Sequence, residues 1–439
     1  MKKILLILGA FVALCHGVEA GPSLQLRVEP EQKVLTKGAA KETVVRIDLT
    51  GINPPGIRRR TPLNLALVID RSGSMQGAKI EKARQAAMEL VGQLTAEDTL
   101  AIVAYSARAR VVSPAAAVTD QASLKAIIQR ISTDGGTALY AGVELGASEV
   151  RKHESSARIN RVILLSDGLA NIGPSSPADL RRLGNRLSEE GISVTTIGLG
   201  DDFNEELMSG LAEASDANYY YVKDTEKLPE IFMKELGGLA TVVARSIRIE
   251  ISCPRGVEPM GLMGRSETFT ERKTVVKLDH LTAGQNRYLL LHCRLQGGAA
   301  ARDLNVVHVS TSYTDAVSGT SQSCAGSARI DFTDNAELAK KSVNSEIAVQ
   351  RVWMMNAIKK DEAIADADAG NYESAAAKLA SQAENLAYQC SIAPASQQPQ
   401  LQEETRNLRR QSSDLLTRRY GLSNRKELQS GSWSVRNSK

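Results

Sequence analysis

From Asn64 to Leu239 continuous apolar runs alternate with amphipathic helical runs, whereas the segments before and after carry strand periodicity alone. That alternation restricts the fold more than any other feature of the chain. Leu65 to Ile69 is unbroken apolar strand, and Ile80, Ala83, Ala87, Val91 and Leu94 then recur on one helical face. Strands are predicted at Leu100 to Tyr105, Val111 to Val112, Val162 to Leu165, Val194 to Leu199 and Tyr219 to Val222. Helices are predicted around Leu124 to Ile131 and at Ala138 to Val150, Ala178 to Leu187, Glu205 to Ala214 and Leu228 to Leu239. Strands buried on both faces need helices on both sides, so this order predicts an α/β doubly wound, mostly parallel, Rossmann-like sheet.

The flanks predict a different layer. Leu24, Leu26 and Val28 alternate with polar residues, as do Val45, Ile47 and Leu49, and a Pro- and Arg-rich joint runs from Asn53 to Pro62. Beyond Ala240, strand runs recur at Ile247 to Ile251, Val275 to Leu278, Tyr288 to Cys293, Val306 to Val309 and Ala328 to Phe332. Two N-terminal strands cannot stand alone, so they are expected to join the later ones in a β-sandwich into which the α/β unit is inserted. From Asp334 the chain turns helical, with Ile347, Met354, Met355 and Ile358 on one face. The turn at Asp366 to Ala375 resembles that of a tetratricopeptide hairpin, read here as local packing. The expected division is 1–20, signal peptide; 21–62, first sandwich strands; 63–240, α/β domain; 241–333, remaining sandwich; and 334–439, helical region with a basic tail. Between Leu401 and Lys439, nine Lys and Arg against four Asp and Glu read as a solvated helix and frayed tail.

Composition narrows the function. A chain of 439 residues with 42% hydrophobic content can bury more than one core, and a net charge of +4 gives no case for a nucleic-acid binder. Met1-Lys2-Lys3, the apolar run Ile4 to Leu14 and Val18-Glu19-Ala20 form the three-part pattern of a secretory signal cleaved after Ala20. The run is too short to span a bilayer, and Leu14 before Cys15 is bulkier than a lipoprotein signal prefers. Export to the periplasm or the medium is the expectation. Cleavage would leave Cys253, Cys293, Cys324 and Cys390, for which disulfides and four reduced buried thiols both stand open.

The strand Leu65 to Asp70 runs into Asp70-Arg71-Ser72-Gly73-Ser74 just before a helix. In doubly wound sheets ligands sit outside the carboxyl ends of strands where strand order reverses. A carboxylate and two hydroxyls at alternate positions on such a loop converge, and Gly73 is read as easing the turn between the serines. Taken alone, the segment also suits a helix N-cap. Together with Asp134-Gly135-Gly136-Thr137 and Ser166-Asp167-Gly168, it resembles the metal-ion-dependent adhesion site of the von Willebrand factor type A (VWA) family. The whole order looks like that of exported bacterial VWA proteins with flanking sandwich strands. The resemblance implies metal ligands at Asp70, Ser72, Ser74, Thr137 and Asp167, and Mg²⁺ (or Mn²⁺ or Ca²⁺) as the ion. It also implies a protein partner whose acidic side chain completes the shell.

Hard cations such as Mg²⁺ take oxygen ligands of this kind. Ser166 reads as a strand-end hydrogen bonder and Arg71 as a surface residue. A haloacid-dehalogenase-like phosphohydrolase is the enzyme alternative, with Gly200-Asp201-Asp202 as its distal acidic loop, but Ser72 stands where its general acid belongs. A Ser-His-Asp hydrolase lacks its elbow motif, and His153, His280, His292 and His308 fall away from Asp70 in the expected topology. A structural protein with a vestigial site is the third reading. The chain is expected not to be an enzyme.

Overall fold

The computed structural model describes residues 22–52, 60–155, 157–296, 303–316, 318–393 and 395–437. The expected signal peptide, residues 1–20, and most of the Pro- and Arg-rich joint lie outside them.

Three strands open the described chain: β1 (Leu24–Pro30), β2 (Val34–Thr36) and β3 (Lys41–Gly51). The α/β unit follows as β4 (Leu63–Asp70), α1 (Ala78–Gln93), β5 (Thr99–Tyr105), β6 (Ala109–Ala117), α2 (Gln121–Gln129) and α3 (Leu139–Arg151). It continues with β7 (Ile159–Ser166), α4 (Pro177–Glu189), β8 (Ser193–Leu199), α5 (Glu205–Ala214), β9 (Tyr219–Val222) and α6 (Leu228–Leu239). Six strands then run as β10 (Val242–Ser252), β11 (Val257–Leu262), β12 (Lys273–Thr282), β13 (Asn286–Leu295), β14 (Leu304–Asp315) and β15 (Ser321–Thr333). Five helices close the chain: α7 (Ala336–Lys341), α8 (Ser345–Asp368), α9 (Tyr372–Ile392), α10 (Gln398–Leu416) and α11 (Leu422–Arg436).

The central sheet has the order β6-β5-β4-β7-β8-β9, parallel except for the antiparallel edge strand β6. Strand order reverses at β4, with Leu67 opposite Ile102 on one side and Ile163 on the other. All eight residues of β4 are buried because both faces are covered. Leu65, Leu67 and Ile69 join a core with α1 and α6, while Ala66 and Val68 meet α3 on the other face. Burying each such Leu or Ile stabilises the fold by about 1.5–3 kcal/mol. The sheet's C-terminal edge, including Asp70, is thereby fixed by packing that involves none of the polar residues beyond it.

The N-terminal strands do pair with the later ones. Sheet order β1-β3-β13-β11 faces β12-β10-β14-β15-β2, and the buried set between them includes Ile47, Ile249, Val276, Leu291 and Val309. β11 escaped the sequence reading because Pro259 and Gly261 interrupt its alternation, and its register shifts at those residues. In β3 the alternation is overridden: Arg46 and Asp48 are buried, because α8 lies over the outer face of the sandwich and Arg46 pairs with Glu346 at 2.7 Å. Val44 and Leu290 meet Met354 there.

The basic tail corrects the expectation of a frayed end. α11 returns to the central sheet, packs on β9 and α5, and buries Lys426 and Trp433 to 1% and 3% exposure. Cys253, Cys293, Cys324 and Cys390 are all free thiols, with Cys253 and Cys293 buried in the core between the two sandwich sheets. Cys324 lies on β15, and Cys390 on α9 donates to the Gln398 carbonyl at 3.6 Å.

Candidate functional site

Asp70 ends β4 at the point of strand reversal and is fully buried. One carboxylate oxygen accepts the Ser72 amide at 2.8 Å, and the other accepts Ser166 Oγ at 2.7 Å and the Tyr105 hydroxyl at 3.2 Å. Burial pushes the Asp70 carboxyl above its ordinary range against the hydrogen bonds from Ser72 and Ser166, and the charge of Asp167 adds to the rise. Burial and the neighbouring Asp70 charge likewise hold the Tyr105 phenol well above its usual range.

Beyond Asp70 the chain makes a short 3₁₀ turn, Gly73–Met75, and α1 starts only after Gly77. Neither Ser72 at the turn nor Gly77 at the helix makes a side-chain cap bond, which overturns the N-cap alternative. The serines instead face each other and the second carboxylate. Ser72 Oγ lies 3.1 Å from Ser74 Oγ, and Ser74 Oγ donates to Asp167 Oδ1 at 2.7 Å. Asp167 follows β7, the neighbour of β4, and is also fully buried.

Thr137 arrives from the loop between α2 and α3. Its amide donates to Asn171 Oδ1 at 2.8 Å, and the Asn171 amide returns to the Thr137 carbonyl at 3.1 Å, so the two loops lock each other. The first loop is tied in as well: the Gly73 amide donates to the Gly135 carbonyl at 3.0 Å, and the Asp134 amide to the Arg71 carbonyl at 2.7 Å. Gly168 shows how closely the hydroxyls converge. A Cβ there would stand 3.2 Å from Ser74 Oγ, 3.4 Å from Thr137 Oγ1 and 3.9 Å from Ser72 Oγ. Gly73, by contrast, is not needed for space, since a Cβ would meet only the Gly135 carbonyl at 3.7 Å.

All five residues singled out in the sequence therefore border one cradle. Its donor set, two carboxylates and three hydroxyls, fits a hard divalent cation. Among the described residues no three His, Cys, Asp or Glu side chains cluster around a point, so the hydroxyls are essential to any such site. Sequence reasoning missed Asn171, Tyr105 and Lys79. Lys79, on the first turn of α1, sends Nζ to Asp167 Oδ2 at 2.6 Å and to Asp202 Oδ2 at 3.6 Å. Exposed Leu169 and Ile172 flank the rim. The distal acidic pair is otherwise engaged: Asp201 accepts from the Tyr221 hydroxyl and Asp202 faces Lys79. His280 contacts Asp279 and Arg161, His292 contacts Glu42, and His153 contacts the Ala115 carbonyl, none of them bordering the cradle.

A family model described as the von Willebrand factor type A domain matches residues 64–234. An uncharacterized protein of Synechocystis sp. is 28% identical over 274 residues, which cover 60% of this chain and 64% of that one. The chain spans less than two thirds of the length of the curated relatives it first matches, 64% and 43%. Among solved structures, a von Willebrand factor type A protein from Catenulispora acidiphila superposes with a TM-score of 0.71 at 18% identity, covering 89% of this chain and 90% of that one. The ArnB paralog VWA2 from Sulfolobus acidocaldarius reaches 0.61 at 17% identity, covering 95% and 99%. At these identities the likeness is one of fold.

Proposed function

With residues 64–234 forming a von Willebrand factor type A domain, we propose that the protein is an extracytoplasmic module that holds a partner protein through a divalent cation. Asp70, Ser72, Ser74, Thr137 and Asp167 are its ligand residues, with Mg²⁺ the first candidate and Mn²⁺ or Ca²⁺ the alternatives. The observation that carries this reading is the convergence of three hydroxyls beside Gly168, flanked by two buried carboxylates. Domains of this family are interaction modules, which agrees with a site offering ligands and no paired nucleophile and base.

The bound cation would supply a Lewis-acidic point with room for one more oxygen ligand. Everything else is done by the chain. β4 and β7 hold the carboxylates rigidly, and Ser166 and Tyr105 occupy the Asp70 oxygen turned away from the loop. Asn171 sets the position of Thr137. Three of the five ligands are neutral hydroxyls, which are weaker donors than carboxylates, so a carboxylate from the partner is the ligand the ion favours, and exposed Leu169 and Ile172 offer apolar contact beside it.

Non-enzymatic action is part of the proposal, because Ser72 stands where a phosphohydrolase of the dehalogenase type needs its general acid. Export rests on the N-terminal sequence. No helix among the described residues is long and apolar enough to cross a membrane. The division at residues 20, 62, 240 and 333 is proposed with it.

The test is calorimetric titration of Mg²⁺, then Mn²⁺, into chelator-stripped protein, beside Asp70→Ala. Saturable one-site binding that disappears in the variant is expected. Equal binding by the variant, or no heat from the unaltered protein at any ion concentration tried, removes the reading.

A further inference from the structure

Two buried carboxylates at one point need a positive charge nearby, and Asp70 receives only neutral donors: an amide, a serine hydroxyl and a phenol. Among the described residues, Lys79 is the one cation in ion-pair contact with either carboxylate, through Asp167. Its position is built into the fold. α1 begins at Ala78, one residue before Lys79, so the side chain leaves the first helical turn and lies along the β8–α5 loop. There a Cβ on Gly200 would stand 3.7 Å from both Cε and Nζ of Lys79.

We infer that Lys79 is a tethered competitor for the site's cation, an ammonium that neutralises Asp167 when no ion is present and transfers to Asp202 when one enters. This inference rests on the metal-site reading. Both oxygens of Asp167 are claimed, Oδ1 by Ser74 and Oδ2 by Lys79. An entering cation can use the remaining lone pairs of those oxygens, but it then stands beside the Lys79 ammonium and repels it. A landing place is already within reach, since Asp202 Oδ2 lies 3.6 Å from the same Nζ. Asp202 is 74% exposed and Asp167 is fully buried. The shift therefore carries the lysine charge outward as the doubly charged ion takes its place.

The competitor sets a threshold. A monovalent ion brings no more charge than the ammonium it displaces, whereas a divalent ion brings twice as much. Lys79 thus lowers affinity for any cation by one common displacement cost, which a divalent ion offsets more readily than Na⁺ or K⁺.

Lys79→Met keeps the length and apolar stem and removes the charge. The expected result, by calorimetry with MgCl₂, is binding about tenfold tighter than in the unaltered protein. The metal-free melting temperature should fall, because Asp167 is left without a counter-charge. Asp202→Asn, a surface change, is expected to weaken Mg²⁺ binding about threefold while leaving the metal-free melt unchanged, and it tests the transfer even where Lys79→Met folds poorly. Unchanged or weaker Mg²⁺ binding in Lys79→Met, with binding intact in the unaltered protein, overturns the competitor role and leaves the metal site standing. Absence of binding in the unaltered protein and in both variants removes the metal site itself, and the competitor with it.

Discussion

Gly168 is where the three hydroxyls of the cradle leave least room, and its substitution separates the cradle's shape from its charge. In Gly168→Ala the added methyl would sit 3.2 Å from Ser74 Oγ and 3.4 Å from Thr137 Oγ1, with no left-handed backbone to strain. Neither carboxylate is lost. Mg²⁺ binding is expected to weaken about tenfold by calorimetry, with stability changed by less than about 1 kcal/mol. A variant that binds as tightly as the unaltered protein would show that the hydroxyls do not act together as ligands. Asp70, Ser72 and Ser74 could be singled out in the sequence at the end of a strand that the alternating pattern predicts, and Thr137 and Asp167 through the resemblance of their loops to the adhesion-site motif. Lys79 could not, since a lysine on a first helical turn has the pattern of a solvated residue. Only the return of the β8–α5 loop and of Asp167 beside it gives that charge a partner. Asn171 was missed for the same reason, its partner Thr137 being 34 residues away.

At the scale of elements, the helices and strands of the α/β unit followed from hydrophobic period, while the polar groups that fasten them did not. α6 was readable from its apolar face, and its Glu235 has the pattern of a surface residue. It is 2% exposed. Its carboxylate meets Arg161 on β7, Thr195 on β8, Asn218 and Tyr220, and Arg161 continues to Asp279 on β12 of the sandwich. Burial alone would raise the Glu235 carboxyl, but the Arg161 charge and the hydrogen bonds from Thr195, Asn218 and Tyr220 bring it below its ordinary 4.5. A depressed carboxylate contributes stability that is present above the ordinary value and is lost as pH falls through the folded one. Glu235→Gln is expected to cost about 2 kcal/mol at neutral pH. Below about pH 4.5 its urea-unfolding free energy should fall less steeply than that of the unaltered protein. Parallel profiles across that range would mean that the carboxylate's charge does not fasten α6. Arg161 thus ties α6, through Glu235, to the sandwich strand β12, through Asp279.

Across the whole molecule, the order of layers was legible and the closure of the chain was not. Apolar period predicts which strands and helices form, and the unpartnered N-terminal strands required the sandwich. Nothing in the composition of Leu401 to Lys439 revealed that its basic residues would be consumed internally. Arg425 pairs with Glu205, Glu206 and Asp368, so one side chain joins α11 to both α5 and the α8 end. Lys426 Nζ donates to the Phe203 carbonyl at 2.8 Å and to Glu205 at 2.5 Å. Trp433 then enters the core on the α3, α4 and α5 face of the central sheet, meeting Tyr219 edge-on with ring centroids 5.8 Å apart. The last helix is therefore a structural part of the α/β unit despite lying almost two hundred residues beyond it. Removing a buried indole of this kind costs about 3–5 kcal/mol. Trp433→Ala should accordingly lower the denaturant midpoint of the central unit, followed by near-ultraviolet circular dichroism, while Mg²⁺ affinity at low temperature stays the same because the cradle lies at β4 and β7. If the midpoint does not move, α11 is an appendage and its buried contacts add nothing to the fold. If the midpoint and the Mg²⁺ affinity fall together, the contacts of Phe203 and Tyr221 with α11, and of Tyr221 with Asp201, extend through Asp202 and Lys79 to the site, and the C-terminal helix sets the state of the cradle as well as the stability of the sheet.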